Sequence, residues 1–221
     1  PNVTFSVLYA KQGAYLFPEV NEIYRTPRSA MTYVVARLNV GKSILGDTYA
    51  FHTVSKGERV VFVNQDMPSA MAQVKLLSCF SGVPQWRIEK GQTSDHDRRA
   101  IREAGDLLKG YVTFLHFPGM TTLDKMRPKV VQAVRKSKAT AIVWDQFSQI
   151  GKDPKVAKNE ISQAVHISRS LKNLAASLDV ALIMLAQANR GAAQGEPGVN
   201  EIAETDAIGQ DACGIFTLWP N

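Results

Sequence analysis

Gly41, Lys42 and Ser43 form a short motif whose residue types can bind phosphate. The motif follows an apolar run from Tyr33 to Ala36, which is typical of a buried strand, and it begins a segment with helical character. A phosphate-binding P-loop requires this order, in which a strand is followed by a tight loop, then Gly-Lys-Ser, then a helix. Backbone N–H groups of such a loop point at the phosphates, and the helix dipole adds a favourable field. Lys42 can reach the β- and γ-phosphates of a nucleotide, and the Ser43 hydroxyl can bind Mg²⁺.

The first position of the motif is Ala36, where the pattern G-x-x-x-x-G-K-[ST] has glycine. Alanine is compatible with the loop if its φ is negative. The motif alone therefore leaves two interpretations open, a nucleotide site and a chance Gly-Lys-Ser at the start of a helix. The residues that we expect to contact a nucleotide are Ala36, Arg37, Asn39, Val40, Gly41, Lys42, Ser43 and Ile44.

Polar side chains follow three other apolar runs. Asp145 ends the run Val143-Trp144, and an aspartate at the carboxyl edge of a parallel sheet can hold the Mg²⁺ that bridges nucleotide phosphates. Asp66 ends another run, where it can act as the base that orients an attacking water, as the N-cap of a helix beginning at Pro68, or as both. Gln187 can sense a γ-phosphate and report its loss to the loop that follows. For Asp145, the alternative is an aspartate that only ends a strand. For Gln187, the alternative is that the segment after it is a surface loop without a function.

Alternating strands and helices must position these side chains. We predict strands at 32–36, 59–64, 111–117, 140–144, 181–186 and 212–218, and helices at 42–54, 69–80, 95–109, 122–137 and 160–178. Ser94 is expected to cap the third helix and Gly110 to end it, whereas Pro128 predicts a kink or a late start in the fourth. Near-continuous apolar strands alternating with helices predict an α/β fold, with a mostly parallel central sheet and helices on both faces.

Residues 1–28 are predicted to form an N-terminal arm or hairpin, and residues 29–221 the main domain. Residues 3–17 alternate loosely around Gln12-Gly13, which suggests a hairpin or an extended arm packed on another part of the structure, and residues 18–28 are predicted to be irregular. Pro1 is not an initiator residue and the chain ends directly after a strand-like run, so we expect a fragment with a truncated C-terminal end.

Composition narrows the function classes. The 221 residues are 45% hydrophobic and carry a net charge of +6, which suits a polyanion such as nucleic acid but also a merely basic surface. No apolar run is long enough to span a bilayer, so no membrane partner is expected. Cys79 and Cys213 lack C-x-x-C spacing, which favours reduced thiols in an intracellular protein. The four histidines lack metal-ligand spacing, so Mg²⁺ carried by a nucleotide is the one metal implied.

From about Thr32 to its end, the chain resembles the C-terminal ATPase domain of the replicative hexameric DNA helicases of the DnaB type, whose fold is RecA-like. The segments that carry this resemblance lie at 34–43, 66–67, 87–93, 118–121, 167–172, 186–191 and 204–212. Alanine is acceptable at the first P-loop position of that family, so the resemblance favours the nucleotide site over a chance motif.

The resemblance implies a RecA-like P-loop ATPase that uses ATP and Mg²⁺, assembles as a ring of six subunits and translocates on single-stranded DNA. Lys42 and Ser43 would bind phosphates and Mg²⁺, and Asp145 would hold the metal through water. Asp66 would activate the attacking water and Gln187 would sense the γ-phosphate. DNA contacts are expected at Arg190, Glu204 and Thr205. Primase or a helicase loader is a possible partner, and the expected location is the cytoplasm of a bacterial cell or a phage-infected host.

Three departures from the family qualify these expectations. Asp66 stands where the family has a catalytic glutamate, and the DNA-binding segment Arg-Glu-Ser-Gly is replaced by Ala203-Glu204-Thr205-Asp206. The arginine finger of the family lies on a strand beyond the end of this chain, and its N-terminal helical domain is not recognisable in residues 1–31. Two alternatives therefore remain, a recombination ATPase of the RecA or RadA type and a catalytically weak, ATP-binding assembly subunit.

Overall fold

A computed structural model describes residues 12–153, 159–188 and 206–218 of the chain. Its strands are β1 (Gln12–Ala14), β2 (Thr26–Pro27), β3 (Ala30–Ala36), β4 (Val60–Asn64), β5 (Val112–His116), β6 (Ala141–Asp145), β7 (Ala181–Gln187) and β8 (Gly214–Leu218). The last six form one sheet in the order β5-β4-β6-β7-β3-β8, and all of its neighbouring strands run parallel. Parallel neighbours require crossover connections, which the intervening helices supply.

The helices are α1 (Pro18–Ile23), α2 (Lys42–Ser55), α3 (Ser69–Ser81), α4 (Gln85–Glu89), α5 (Asp95–Tyr111), α6 (Leu123–Ser137), α7 (Glu160–Leu178) and α8 (Asp206–Asp211), with a 3₁₀ turn at Phe147–Gln149. Among the helices of the described ranges, none is long and apolar enough to cross a membrane.

Two hydrophobic layers enclose the sheet. One layer contains Met126 of α6 and Leu171 of α7, and the other contains Tyr49 of α2 and Leu76 of α3. Every residue of β6 is buried, because the strand is covered on both faces. The prediction of an α/β fold with helices on both faces of a parallel sheet is confirmed.

One prediction about helix ends is wrong, and another is wrong in one of its two alternatives. Gly110 does not end α5, which continues to Tyr111, because a glycine ends a helix when it adopts a left-handed conformation and Gly110 does not. Pro128 does not delay α6, which begins at Leu123 and contains the proline, so the late start is wrong and the kink stays a prediction. Ser94, in contrast, caps α5 as predicted.

The segment before the main sheet differs in part from its prediction. Gln12 and Gly13 lie in β1, which pairs antiparallel with β2, so they are not the turn of a hairpin. Residues 18–28, predicted to be irregular, contain α1 and β2. Ala14 and Leu16 are buried in the same layer as α2, so this part of the segment packs against the main domain. The remainder of the predicted arm, residues 1–11, lies outside the described residues.

Candidate nucleotide site

The loop between β3 and α2 requires glycine at one position. Gly41 is the N-cap of α2 and has φ 102° and ψ 15°, a left-handed conformation that residues other than glycine rarely adopt. No side chain caps the helix at this residue, so the first N–H groups of α2 are available to an anion. Ala36 has no positive φ and is fully buried as the last residue of β3. Alanine at the first motif position is therefore compatible with the loop.

The parallel register brings the predicted residues to one edge of the sheet. Ala36 at the end of β3 lies opposite Gln187 of β7, and Asp145 of β6 lies opposite Asn64 of β4. Because parallel strands end at the same edge, the residues that follow them face a common crevice.

A cavity of about 380 Å³ occupies this edge. It is lined by Arg37, Leu38, Asn39, Gly41, Lys42, Ser43, Ile44, Asp66, Met67, Lys75, Gln146 and Gln187. The predicted residues Ala36 and Val40 do not line it, and Asp145 lies buried beneath it at 3% exposure. A larger cavity of about 690 Å³ lies among α3, α5 and β5, but no P-loop residue lines it. The chemistry of the lining therefore favours the smaller cavity as the functional one.

Lys42, which lines this cavity, forms an ion pair with the buried Asp145 beneath it. The Lys42 Nζ lies 3.6 Å from the Asp145 Oδ1. Burial lowers the pKa of Lys42 and raises the pKa of Asp145, and in each case the partner's charge acts in the opposite direction. Each charge therefore favours the charged form of its partner and opposes the effect of burial.

The residues near Lys42 fit a magnesium ion that arrives with phosphate. Within the described residues, the Asp145 Oδ1 is a buried oxygen without a hydrogen-bond partner, and the Ser43 hydroxyl also acts to lower the pKa of this carboxyl. Magnesium prefers oxygen ligands and commonly uses one or two carboxylates together with substrate phosphates. The part of the chain that the structure describes contains no group of three or more His, Cys, Asp or Glu residues that could hold a metal. The donor set thus suits a cation shared with a nucleotide.

Asp66 lines the cavity and does not cap α3. The N-cap of that helix is Pro68, and no side chain accepts a hydrogen bond there. The preceding turn is instead fixed by the buried Asn64, whose Nδ2 donates to the Met67 carbonyl oxygen at 2.8 Å. The Asp66 Oδ1 accepts a hydrogen bond from the Gln146 Nε2 at 2.5 Å. The N-cap interpretation is therefore wrong, and the carboxylate remains available to the cavity.

Three polar residues of this region were missed by the sequence analysis. Gln146 contacts both Lys42 and Asp66, and its position directly after Asp145 was the available signal. Lys75 of α3 lines the cavity and lies 3.9 Å, Nζ to Oδ2, from Asp47. Burial raises the pKa of Asp47 to about 7, while Lys75 lowers it and Asp145 raises it. The signal for Asp47 was a carboxylate on the apolar face of the P-loop helix.

The predicted DNA contacts Arg190, Glu204 and Thr205 lie outside the described residues, as does Ala203. Gln187 is described, lines the cavity and is partly exposed at the end of β7.

A family model and individual relatives both match this chain to helicases of the DnaB type. A family model, that of the DnaB-like helicase C-terminal domain, matches residues 20–219. The replicative DNA helicase DnaB of Treponema pallidum (strain Nichols) is 29% identical over 194 residues, covering 86% of this chain and 43% of that protein. The DnaB of Buchnera aphidicola subsp. Schizaphis graminum is 26% identical over 196 residues, covering 86% of this chain and 42% of its own length. The chain thus spans less than half the length of these relatives.

Solved structures share the fold. A solved ATPase domain superposes with a TM-score of 0.82 at 20% identity, covering 99% of this chain and 81% of that one. A DnaB-like replicative helicase, studied with its interactions with primase, gives a TM-score of 0.78 at 21% identity, over 88% of this chain and 48% of that one. A KaiC-like protein from Pyrococcus horikoshii OT3 superposes with a TM-score of 0.59 at 14% identity, covering 94% of this chain and 79% of that one.

Proposed function

Because the chain belongs to the DnaB-like helicase C-terminal domain family, we propose that it is the motor domain of a replicative DNA helicase, which hydrolyses ATP to move along single-stranded DNA. The observation that carries the proposal is the convergence of the P-loop, Lys42, Ser43 and Asp66 on one cavity, with Asp145 directly beneath it. This combination of a cation, a hydroxyl and two carboxylates suits binding and cleavage of a nucleoside triphosphate with Mg²⁺.

In this proposal, the P-loop and the first turn of α2 bind the phosphates. The loop and the first turn of α2 present N–H groups to the phosphates, and the Lys42 ammonium binds the β- and γ-phosphate oxygens. Ser43 and Asp145 would hold Mg²⁺, which neutralises the charge that develops on the phosphates during transfer. The burial of Lys42 and Asp145 strengthens these electrostatic interactions, because little water screens them.

Asp66 and Gln187 are assigned to the reacting end of the nucleotide. Asp66 would orient and activate the attacking water, since its carboxylate lines the same cavity as Lys42. Gln187 would hydrogen-bond the γ-phosphate and lose that bond on hydrolysis. Gln187 ends β7, which lies beside the P-loop strand β3, so its side chain would respond at the same edge of the sheet that holds the P-loop.

The proposals about ring assembly, DNA binding and protein partners rest on the family and not on the described residues. We propose a hexamer with ATP between subunits and an arginine finger supplied by the neighbouring subunit. DNA would be contacted through Arg190, Glu204 and Thr205, and the net charge of +6 favours a phosphate backbone without sequence readout. Primase or a helicase loader is the proposed protein partner, in the cytoplasm of a bacterial cell or a phage-infected host.

The test is ATP turnover of the full-length protein with and without single-stranded DNA. A motor is expected to hydrolyse ATP and to be stimulated by the DNA. Asp66, shorter by one methylene than the family's glutamate, favours one rival, an assembly subunit that binds ATP without hydrolysing it. Tight ATP binding without turnover at any DNA concentration would support that rival and contradict the motor. Strand exchange between homologous DNA molecules without unwinding would support a recombination ATPase of the RecA or RadA type.

A further inference from the structure

The Gln146 side chain joins the two catalytic charges of the cavity. Its Oε1 accepts a hydrogen bond from the Lys42 Nζ, and its Nε2 donates to the Asp66 Oδ1 at 2.5 Å. The residue is only 6% exposed. A side-chain amide has an acceptor at one end and donors at the other, so it can connect a cation to an anion without carrying charge itself. A buried carboxylate or ammonium at this position would repel one of the two neighbours.

The backbone around Gln146 is held from two sides. The Gln65 N–H donates to the Asp145 carbonyl oxygen at 2.7 Å, which joins this position to the strand segment that precedes Asp66. The Gln149 N–H donates to the Gln146 carbonyl oxygen at 3.2 Å and closes the 3₁₀ turn. The amide therefore projects from a fixed point between β6 and the loop after β4.

Asp66 itself is exposed, and within the described residues Gln146 is the hydrogen-bond donor that the structure gives to its carboxylate. An exposed aspartate without such a donor would sample several rotamers, and a misplacement of about 1 Å at a reacting group can cost about 100-fold in rate. We propose that Gln146 is a positioning residue, which holds the Asp66 carboxylate over the cavity and occupies Lys42 until a phosphate replaces it. This inference rests on the proposed ATP hydrolysis.

The two hydrogen bonds of Gln146 have opposite consequences for binding and for catalysis. A phosphate must displace the Gln146 Oε1 from Lys42, so the amide competes with the nucleotide. The Nε2 bond to Asp66 does not compete, because Asp66 is not a phosphate ligand in the proposed mechanism. Loss of the amide should therefore leave nucleotide affinity unchanged or raise it by up to about fivefold, the worth of one hydrogen bond, while turnover falls.

The experiment compares Gln146→Leu, Gln146→Glu and the parent, with Gln132→Leu as the matched control at a surface-facing glutamine of α6. Affinity is measured by equilibrium titration with Mg·ADP, and turnover is measured with ATP and single-stranded DNA. We expect Gln146→Leu to lose about 10- to 100-fold in kcat with a Kd for Mg·ADP within about fivefold of the parent. Gln132→Leu should match the parent in both.

Gln146→Glu tests the amide donor separately from the volume of the side chain. A glutamate would keep an acceptor for Lys42 but would replace the amide donor by a second negative charge beside Asp66. We therefore expect kcat to fall at least as far as in Gln146→Leu, whereas a residue that only fills the pocket would tolerate this change of nearly equal volume. Gln146→Leu should also cost much less in an Asp66→Asn background than in the parent, because the amide acts through that carboxylate.

The outcomes separate the inference from the proposed function. An inactive parent, with DNA present, contradicts the proposed function and the inference with it. An active parent together with a parent-like kcat in Gln146→Leu overturns the inference alone. A loss of Mg·ADP affinity greater than about tenfold in Gln146→Leu, parallel to the loss of kcat, also overturns it, because the side chain would then support the fold of the pocket as a whole.

Discussion

Replacing Asp47 by asparagine should stabilise the protein at neutral and alkaline pH. Asp47 is a 5% exposed carboxylate of α2, and burial raises its pKa to about 7. An aspartate in an unfolded chain has a pKa of about 3.9. Between these two values the folded state binds more protons than the unfolded state, so the free energy of unfolding decreases as pH rises. The cost of ionising Asp47 is therefore absent below about pH 4 and complete above the folded pKa of about 7.

The size of this effect follows from the two pKa values. A difference of about 3 units at about 1.36 kcal/mol per unit corresponds to about 4 kcal/mol at pH 8, as an upper estimate. Asparagine has nearly the same shape and no charge to desolvate, so Asp47→Asn should approach this gain at pH 8 and show little gain at pH 4. Lys75→Met should lower stability most at pH 8, because it removes the cation that opposes the buried charge.

Urea denaturation at several pH values between 4 and 8.5 measures the effect directly. The matched control is Asp106→Asn, an exposed aspartate of α5, whose stability difference from the parent should stay within about 0.5 kcal/mol at every pH. A constant difference between Asp47→Asn and the parent across this range would refute the reasoning, because the carboxyl would then have an ordinary pKa in the folded state.

Three further outcomes are expected. Asp66→Glu should raise ATP turnover when an arginine finger is supplied, and Asp66→Asn should bind ATP normally but hydrolyse it more slowly; parent-like turnover in Asp66→Asn would exclude the assigned role. Gly41→Ala should lower the free energy of unfolding by about 1–3 kcal/mol, because φ at this residue is 102°, whereas Gly110→Ala in α5 should be neutral or stabilising. DNA binding should weaken steeply with added salt and be insensitive to sequence; a strong sequence preference at fixed salt would argue against a translocating motor.

The sequence was sufficient to predict the position of residues that directly follow a strand. The P-loop, Asp145 and Gln187 follow apolar strands, and parallel strands bring such residues to one edge, so their convergence could be predicted. The position of Gln146 directly after Asp145 placed it near the site, but its contacts with Lys42 and Asp66 depend on side-chain directions from three separate segments, which local sequence does not determine.

The errors at helix ends have a related cause. Glycine ends a helix only when it adopts a left-handed conformation, and Gly110 retains the helical one. The Asp66 cap was excluded by the Asn64 side chain, which fixes the turn before α3 through a hydrogen bond to Met67. In both cases the local sequence allows two arrangements, and the structure shows which of them forms.

The most direct test of the central claim is ATP turnover by the parent and by Lys42→Ala, measured on the full-length protein with saturating single-stranded DNA. Lys42 lines the cavity beside Asp145, so its loss removes a charge-assisted contact to phosphate. The expected result is turnover in the parent and none in Lys42→Ala, with ATP binding weakened or lost. Equal turnover in the two proteins would contradict the claim, because the catalytic site would then lie elsewhere in the protein.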